Sequence, residues 1–168
     1  MSILVWIEQI EGTAVSSCWE VLGKAKSLAA ELGTSAAAVV AGDGVDELAQ
    51  QALSYGASAV YTAPSPVLAR WLQPYTTVLD AAIDAADASV VLTSATNQGR
   101  ILAATVACKR NAGLAPNASD LRGRRRAGGR THRLLRQHRR RHSLRERSEC
   151  CRRTAALVPH ARTRRRGR

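Results

Sequence analysis

Residues 2–8, Ser-Ile-Leu-Val-Trp-Ile-Glu, and residues 17–33, SCWEVLGKAKSLAAELG, decide how the chain folds. The first is an unbroken apolar run closed by a charge, the pattern of a short buried strand. In the second, Ser17 and Glu20 have capping-box spacing, Val21, Leu22, Ala25, Leu28, Ala29 and Leu32 recur at helical intervals, and Gly33 supplies a C-terminal stop. A buried strand followed by an amphipathic helix is half of a βαβ unit.

The unit recurs down the chain. Residues 36–40 read as a second apolar strand, Asp43-Gly44 as a turn, and Val45, Leu48, Ala49, Ala52 and Leu53 as a helical stripe ending at Gly56. A third strand is expected over 57–63. Pro64 and Pro66 break the chain before a helical region from near Val67, which Pro74 either restarts or kinks. A fourth strand over 89–94 leads into a helix over 97–110, stopped by Gly113. Continuous apolar strands on helical crossovers predict an α/β fold. The expected architecture is a Rossmann-like three-layer sandwich with a parallel sheet, incomplete at its C-terminal side.

The formal charge of +12 over 168 residues conceals a division. Up to Leu121 there are six basic residues against eleven acidic ones, a balance of −5; residues 122–168 carry nineteen basic residues and two acidic ones, a balance of +17. All nineteen are arginine, and the segment has no Ile, Asn, Phe, Tyr, Met, Trp or Asp. With only scattered Ala and Leu to bury, it is expected to be a disordered basic tail that forms no domain, leaving residues 1–121 as the folded unit. Residues encoded by AT-rich codons are missing together, which is the product expected of a GC-rich gene read out of frame after Leu121. The functional alternative is a Rossmann-like domain whose Arg-rich tail binds nucleic acid non-specifically by neutralising phosphates.

Other classes are disfavoured. The opening residues lack a basic start, so no signal peptide is expected, and no apolar stretch is long enough for membrane insertion; a cytoplasmic protein is expected. All four histidines (His132, His138, His142 and His160) lie in the tail, leaving the folded segment no imidazole base for triad chemistry. Cys18 and Cys108 fall in helical patterns, and Cys150-Cys151 is not a zinc spacing.

In an open parallel sheet, ligands bind beyond the C-terminal strand ends. The loop after the first strand, residues 9–13, has no glycine-rich fingerprint, and Gly42-Asp43-Gly44 reads as a tight turn. Residues 94–100, Ser-Ala-Thr-Asn-Gln-Gly-Arg, join the fourth strand to a helix N-terminus and offer a candidate phosphate loop through Ser94, Thr96, Gly99 and Arg100. The same residues also read structurally: Thr96 or Asn97 as a helix cap, Gly99 as a close-packing point and Arg100 as a solvated charge. A stand-alone module that binds AMP through this loop is a further reading.

The segments Ile3-Leu4-Val5-Trp6-Ile7-Glu8, Lys24 to Ala29, and Leu48-Ala49 to Tyr55-Gly56-Ala57 before Val60-Tyr61 resemble the start of electron transfer flavoprotein alpha subunits. So do Ser94-Ala95-Thr96 with Gly99-Arg100 and Leu102-Ala103, then Asn111-Ala112-Gly113-Leu114 and Ser119-Asp120-Leu121, in the family's order over residues 2–121. Two positions depart from it: Ser94 stands where glycine is usual, and Ile101 where the family usually has an acidic residue. The resemblance implies an electron carrier, not an enzyme. Such a carrier forms a heterodimer with a beta subunit, takes electrons from acyl-CoA or other flavin dehydrogenases and passes them to a quinone reductase. It implies FAD as cofactor, held mainly by a second domain that these residues do not include.

Overall fold

The computed structural model describes residues 1–65, 72–118, 120–125, 132–137 and 154–158. Four βα units generate most of it. Strand β1 (Ser2–Ile7) is buried along its whole length. After a small hairpin, β2 (Gln9–Ile10) with β3 (Thr13–Ala14), helix α1 (Ser16–Leu32) returns over the sheet. Strand β4 (Ser35–Gly42), helix α2 (Val45–Ser54), strand β5 (Ala59–Pro64), helix α3 (Leu72–Ala85), strand β6 (Ala88–Ser94) and helix α4 (Asn97–Arg110) follow.

The parallel part of the sheet runs β5-β4-β1-β6, so β1 lies between β4 and β6. Alternation along β1 sorts the core into two layers. Ile3, Val5 and Ile7 pack with Leu22, Leu28 and Leu32 of α1 and Leu48 of α2. Leu4 and Trp6 face the opposite way, onto Tyr75 and Leu79 of α3 and Leu102 and Val106 of α4. Trp6 meets Tyr75 edge to face, with ring centroids 5.4 Å apart. Helices on both faces of a parallel sheet are the architecture that the apolar periodicity predicts.

Local details differ from the sequence reading at the helix ends. The residue before α1 is Val15, with no side-chain cap bond; Ser17 sits inside the first turn and is buried, so the Ser17–Glu20 capping box does not form. Gly33 does end α1 in the left-handed region, with the Thr34 N–H reaching the Ala29 carbonyl at 2.9 Å. Helix α4 ends on Asn111 at φ 49°, not on Gly113, because the short amide side chain of asparagine also tolerates left-handed backbone. Pro74 is the third residue of α3, where the first turn needs no N–H from it. Residues 66–71, where that helical region was expected to begin, lie outside the described residues.

Strands beyond α4 were not among the expected elements. Strand β7 (Gly113–Ala118) forms the far edge of the sheet, and β10 (Thr154–Val158) inserts between β6 and β7, antiparallel to both. Strands β8 (Asp120–Arg125) and β9 (His132–Gln137) pair antiparallel in a separate ribbon. The expectation of a disordered tail from residue 122 falls mostly outside the described residues; where they are described, they form these strands. Residues 154–158, Thr-Ala-Ala-Leu-Val, open the longest arginine-free stretch of that segment, 154–161, and end on a β-branched residue, and so are suited to sit between strands.

Candidate functional site

The direction of the crossovers locates the place to look. From β1 the chain moves outward through β4 to β5, then crosses back to β6 on the other side of β1. The strand order therefore reverses between β1 and β6, and the crevice beyond their C-terminal ends is the topological switch point, where open α/β sheets take ligands. Glu8 follows β1, Ser94 ends β6, and Thr96 to Arg100 start α4, so the sequence-selected loop lies at this point.

Each selected residue has a defined partner. Ser94 is 1 % exposed, and its hydroxyl lies 3.2 Å from the Cys18 thiol of α1. Thr96 caps α4: its Oγ1 accepts the Gly99 N–H at 2.9 Å. The same hydroxyl donates to a Glu8 carboxylate oxygen at 2.5 Å. Gly99 is buried under β6, and a Cβ placed on it would stand 2.1 Å from the Ser94 carbonyl oxygen, so only glycine fits this approach. Arg100 donates through Nε to the Thr96 carbonyl at 3.2 Å and through Nη2 to Asn97 Oδ1 at 2.8 Å, which turns the guanidinium back onto its own helix.

Sequence reading missed two members of the cluster, Glu8 and Cys18. Glu8 is 6 % exposed, and its N–H donates to Cys18 Sγ at 3.3 Å. Burial pushes the Cys18 thiol up from its ordinary value, against smaller opposing effects from its hydrogen bonds to Ser94 and Glu8, so it is a packed thiol and not a nucleophile. The position of Glu8 carried a legible signal: it is the charge that closes a buried parallel strand beside the place where strand order reverses.

The charge at this helix end comes from within the protein. A helix N-terminus attracts anions, but here a nearly buried carboxylate already holds the capping hydroxyl. A phosphate about 4 Å from that carboxylate would meet a repulsion on the order of 4 kcal/mol at the effective dielectric of a protein surface. The hydroxyls of Ser94 and Thr96, the Gly99 amide and the Arg100 fork are all engaged within the protein. In this structure the four loop residues take the capping and packing roles, with each of these polar groups held by a protein partner. The second loop, Gly42-Asp43-Gly44, is a tight turn, with Asp43 Oδ1 accepting the Gly44 N–H at 3.0 Å. Among the described residues no group of three metal-ligating side chains comes together, and no helix is long and apolar enough to cross a membrane.

Comparison with known proteins sets these features in a family. The electron transfer flavoprotein domain family matches residues 3–157, a span that includes β10. The lactate dehydrogenase (NAD(+),ferredoxin) subunit LctC of Acetobacterium woodii is 35 % identical over 120 residues, 71 % of this chain and 29 % of that protein. The electron transfer flavoprotein subunit alpha of Megasphaera elsdenii is 33 % identical over 120 residues, 71 % of this chain and 36 % of its own length. Protein FixB of Azorhizobium caulinodans is 32 % identical over 123 residues, 71 % of this chain and 33 % of its length. This chain thus spans about a third of the length of the curated relatives it matches. With the order of its strands and helices, these matches show that the chain belongs to the electron transfer flavoprotein family, as a domain of the alpha-subunit N-terminal type.

Proposed function

We propose that the chain serves as the N-terminal domain of an electron transfer flavoprotein alpha subunit, a part of an electron carrier and not itself a catalyst. In this reading it forms a heterodimer with a beta subunit in the cytoplasm. The assembled carrier takes electrons from acyl-CoA or other flavin dehydrogenases and delivers them to a quinone reductase. The observation that carries the proposal is the family match over residues 3–157, shared with relatives that bear the alpha-subunit name. In this reading the domain frames the subunit and the flavin is held by the remainder of an alpha subunit; the chain spans 36 % of the length of these relatives. The contacts at the switch point support that division, since Thr96 and the Gly99 amide there are already engaged with protein partners.

Size-exclusion chromatography of the full chain mixed with an electron transfer flavoprotein beta subunit tests the assignment. Co-elution as a heterodimer is expected; separate elution at micromolar concentrations would overturn it.

The polybasic segment belongs to the same proposal as a truncation. A change of reading frame after Leu121 would account for nineteen arginines without one lysine, and the curated relatives align over only 71 % of this chain, whereas the family match runs on to residue 157. Most of that segment lies outside the described residues, and so does the expectation that it binds nucleic acid. Sequencing the gene across the codons for residues 119–126 and reading all three frames should reveal the family sequence continuing in another frame. If neither alternative frame continues it, the truncation is wrong, and salt-dependent RNA binding by the tail becomes the property to measure.

A further inference from the structure

The proposed role leaves one buried titratable group without a task. Glu8 is almost fully removed from solvent, yet its hydrogen-bonded neighbours among the described residues include no cation. The nearby guanidinium, that of Arg100, is turned onto Asn97 and the Thr96 carbonyl. A buried carboxylate needs compensation from hydrogen bonds or positive potential. Here the Thr96 hydroxyl provides the bond, and the N-terminal end of the 14-residue helix α4 provides the potential. The hydroxyl is polarised in one sense, taking the Gly99 N–H and passing its own proton toward Glu8, so helix, cap and carboxylate form one directed chain. Strand β1 ends where this chain needs an acid, at the point of strand reversal where related architectures admit an external anion.

We propose that the Glu8 carboxylate is a built-in ligand of the α4 N-terminus, occupying the oxyanion position that the topology creates and so barring phosphate, free or nucleotide-borne, from the crevice between β1 and β6. This inference is independent of the electron-carrier assignment: it concerns what the domain excludes, whichever subunit it joins. Thr96 is the positioning residue that couples the carboxylate to the helix, and Gly99 brings the helix close enough for the coupling.

The test is a thermal-denaturation comparison of the full chain with Glu8→Gln and Glu8→Ala. Each is titrated with inorganic phosphate against sodium chloride of equal ionic strength, and Glu8→Ala also with sodium acetate. Any phosphate response of the arginines after residue 121 is common to all three proteins, so the reading is the difference between variant and wild type. Both variants should gain a phosphate-dependent rise in Tm, on the order of 2 °C beyond the wild-type response, and acetate should partly restore Glu8→Ala. Glu8→Gln keeps the side-chain shape and carries the test if Glu8→Ala does not fold. Equal responses in all three proteins, or a larger response in the wild type, would overturn the proposal.

Discussion

The two sides of the sheet are built by different means. On one side, β5, β4, β1 and β6 are parallel neighbours joined in sequence by helices of 10 to 17 residues. On the other, β10 arrives from residues 154–158 to pair antiparallel with β6 and β7, the latter ending at Ala118. Each side carries one register shift, in β1–β6 between Ser2 and Ile3 and in β10–β7 between Thr154 and Ala156, so the difference lies in closure and not in register. Local closure costs little chain entropy and long-range closure costs more. The parallel side is therefore the framework, and β10 an addition to it.

Trp6→Ala strikes the framework. The side chain is 2 % exposed and edge-on to Tyr75, so its removal should cost about 3–5 kcal/mol, read as a shift in the urea midpoint. Ending the chain after residue 153 withdraws β10 instead, and should leave a cooperative transition with most of the far-ultraviolet circular dichroism intact. If the truncation unfolds the protein and Trp6→Ala does not, the ranking of the two sides is reversed.

Gly99→Ala sharpens the comparison at the framework's edge. Its Cβ would meet the backbone oxygen of Ser94, which no rotamer change can relieve, so β6 and α4 must separate at a cost of about 1–3 kcal/mol. Thr96→Val removes both the cap and the Glu8 donor and should cost about 1–2 kcal/mol, while Thr96→Ser should retain most of the stability. An equal loss in Thr96→Ser would assign the effect to packing and not to the hydroxyl.

A smaller effect is expected where α4 meets α3. Lys109 Nζ lies 2.6 Å from Asp80 Oδ2, Arg110 Nε pairs with Asp80 Oδ1, and the Arg110 guanidinium also reaches Asp84 at 2.8 Å. Burial pushes the Asp80 carboxyl up, but hydrogen bonds and charge from Lys109 and Arg110 outweigh it and hold the group below its usual range. A carboxyl depressed on folding stabilises above its unfolded pKa of about 3.9 and loses that contribution as pH falls through the folded value. The stability gap between wild type and Asp80→Asn should therefore be present at neutral pH and close in acid. A gap that persists in acid would show the contribution to be uncharged.

Legibility in the sequence followed the same division. Four strands and four helices could be read because their apolar periods are local, and the bounds of α4 agree to the residue. The capping box at Ser17 misled because hydroxyl and acid spacing does not reveal that Ser17 is inside the first turn. Strand β10 was obscured by its surroundings: five residues of modest β propensity among arginines look like coil until β6 and β7 supply partners on both sides. At the site, the loop was found and its electrostatics were not, since Glu8 and Thr96 are 88 residues apart and only the fold brings the carboxylate to the helix end.

The account rests on a domain that frames a flavoprotein subunit while its own switch point stays closed, and titration calorimetry of FAD, with AMP as a second ligand, into the full chain tests this most directly. It predicts no saturable binding of either at physiological salt, only weak heats that vanish as salt screens the arginines. Saturable binding of one FAD or AMP per chain that survives high salt would contradict it.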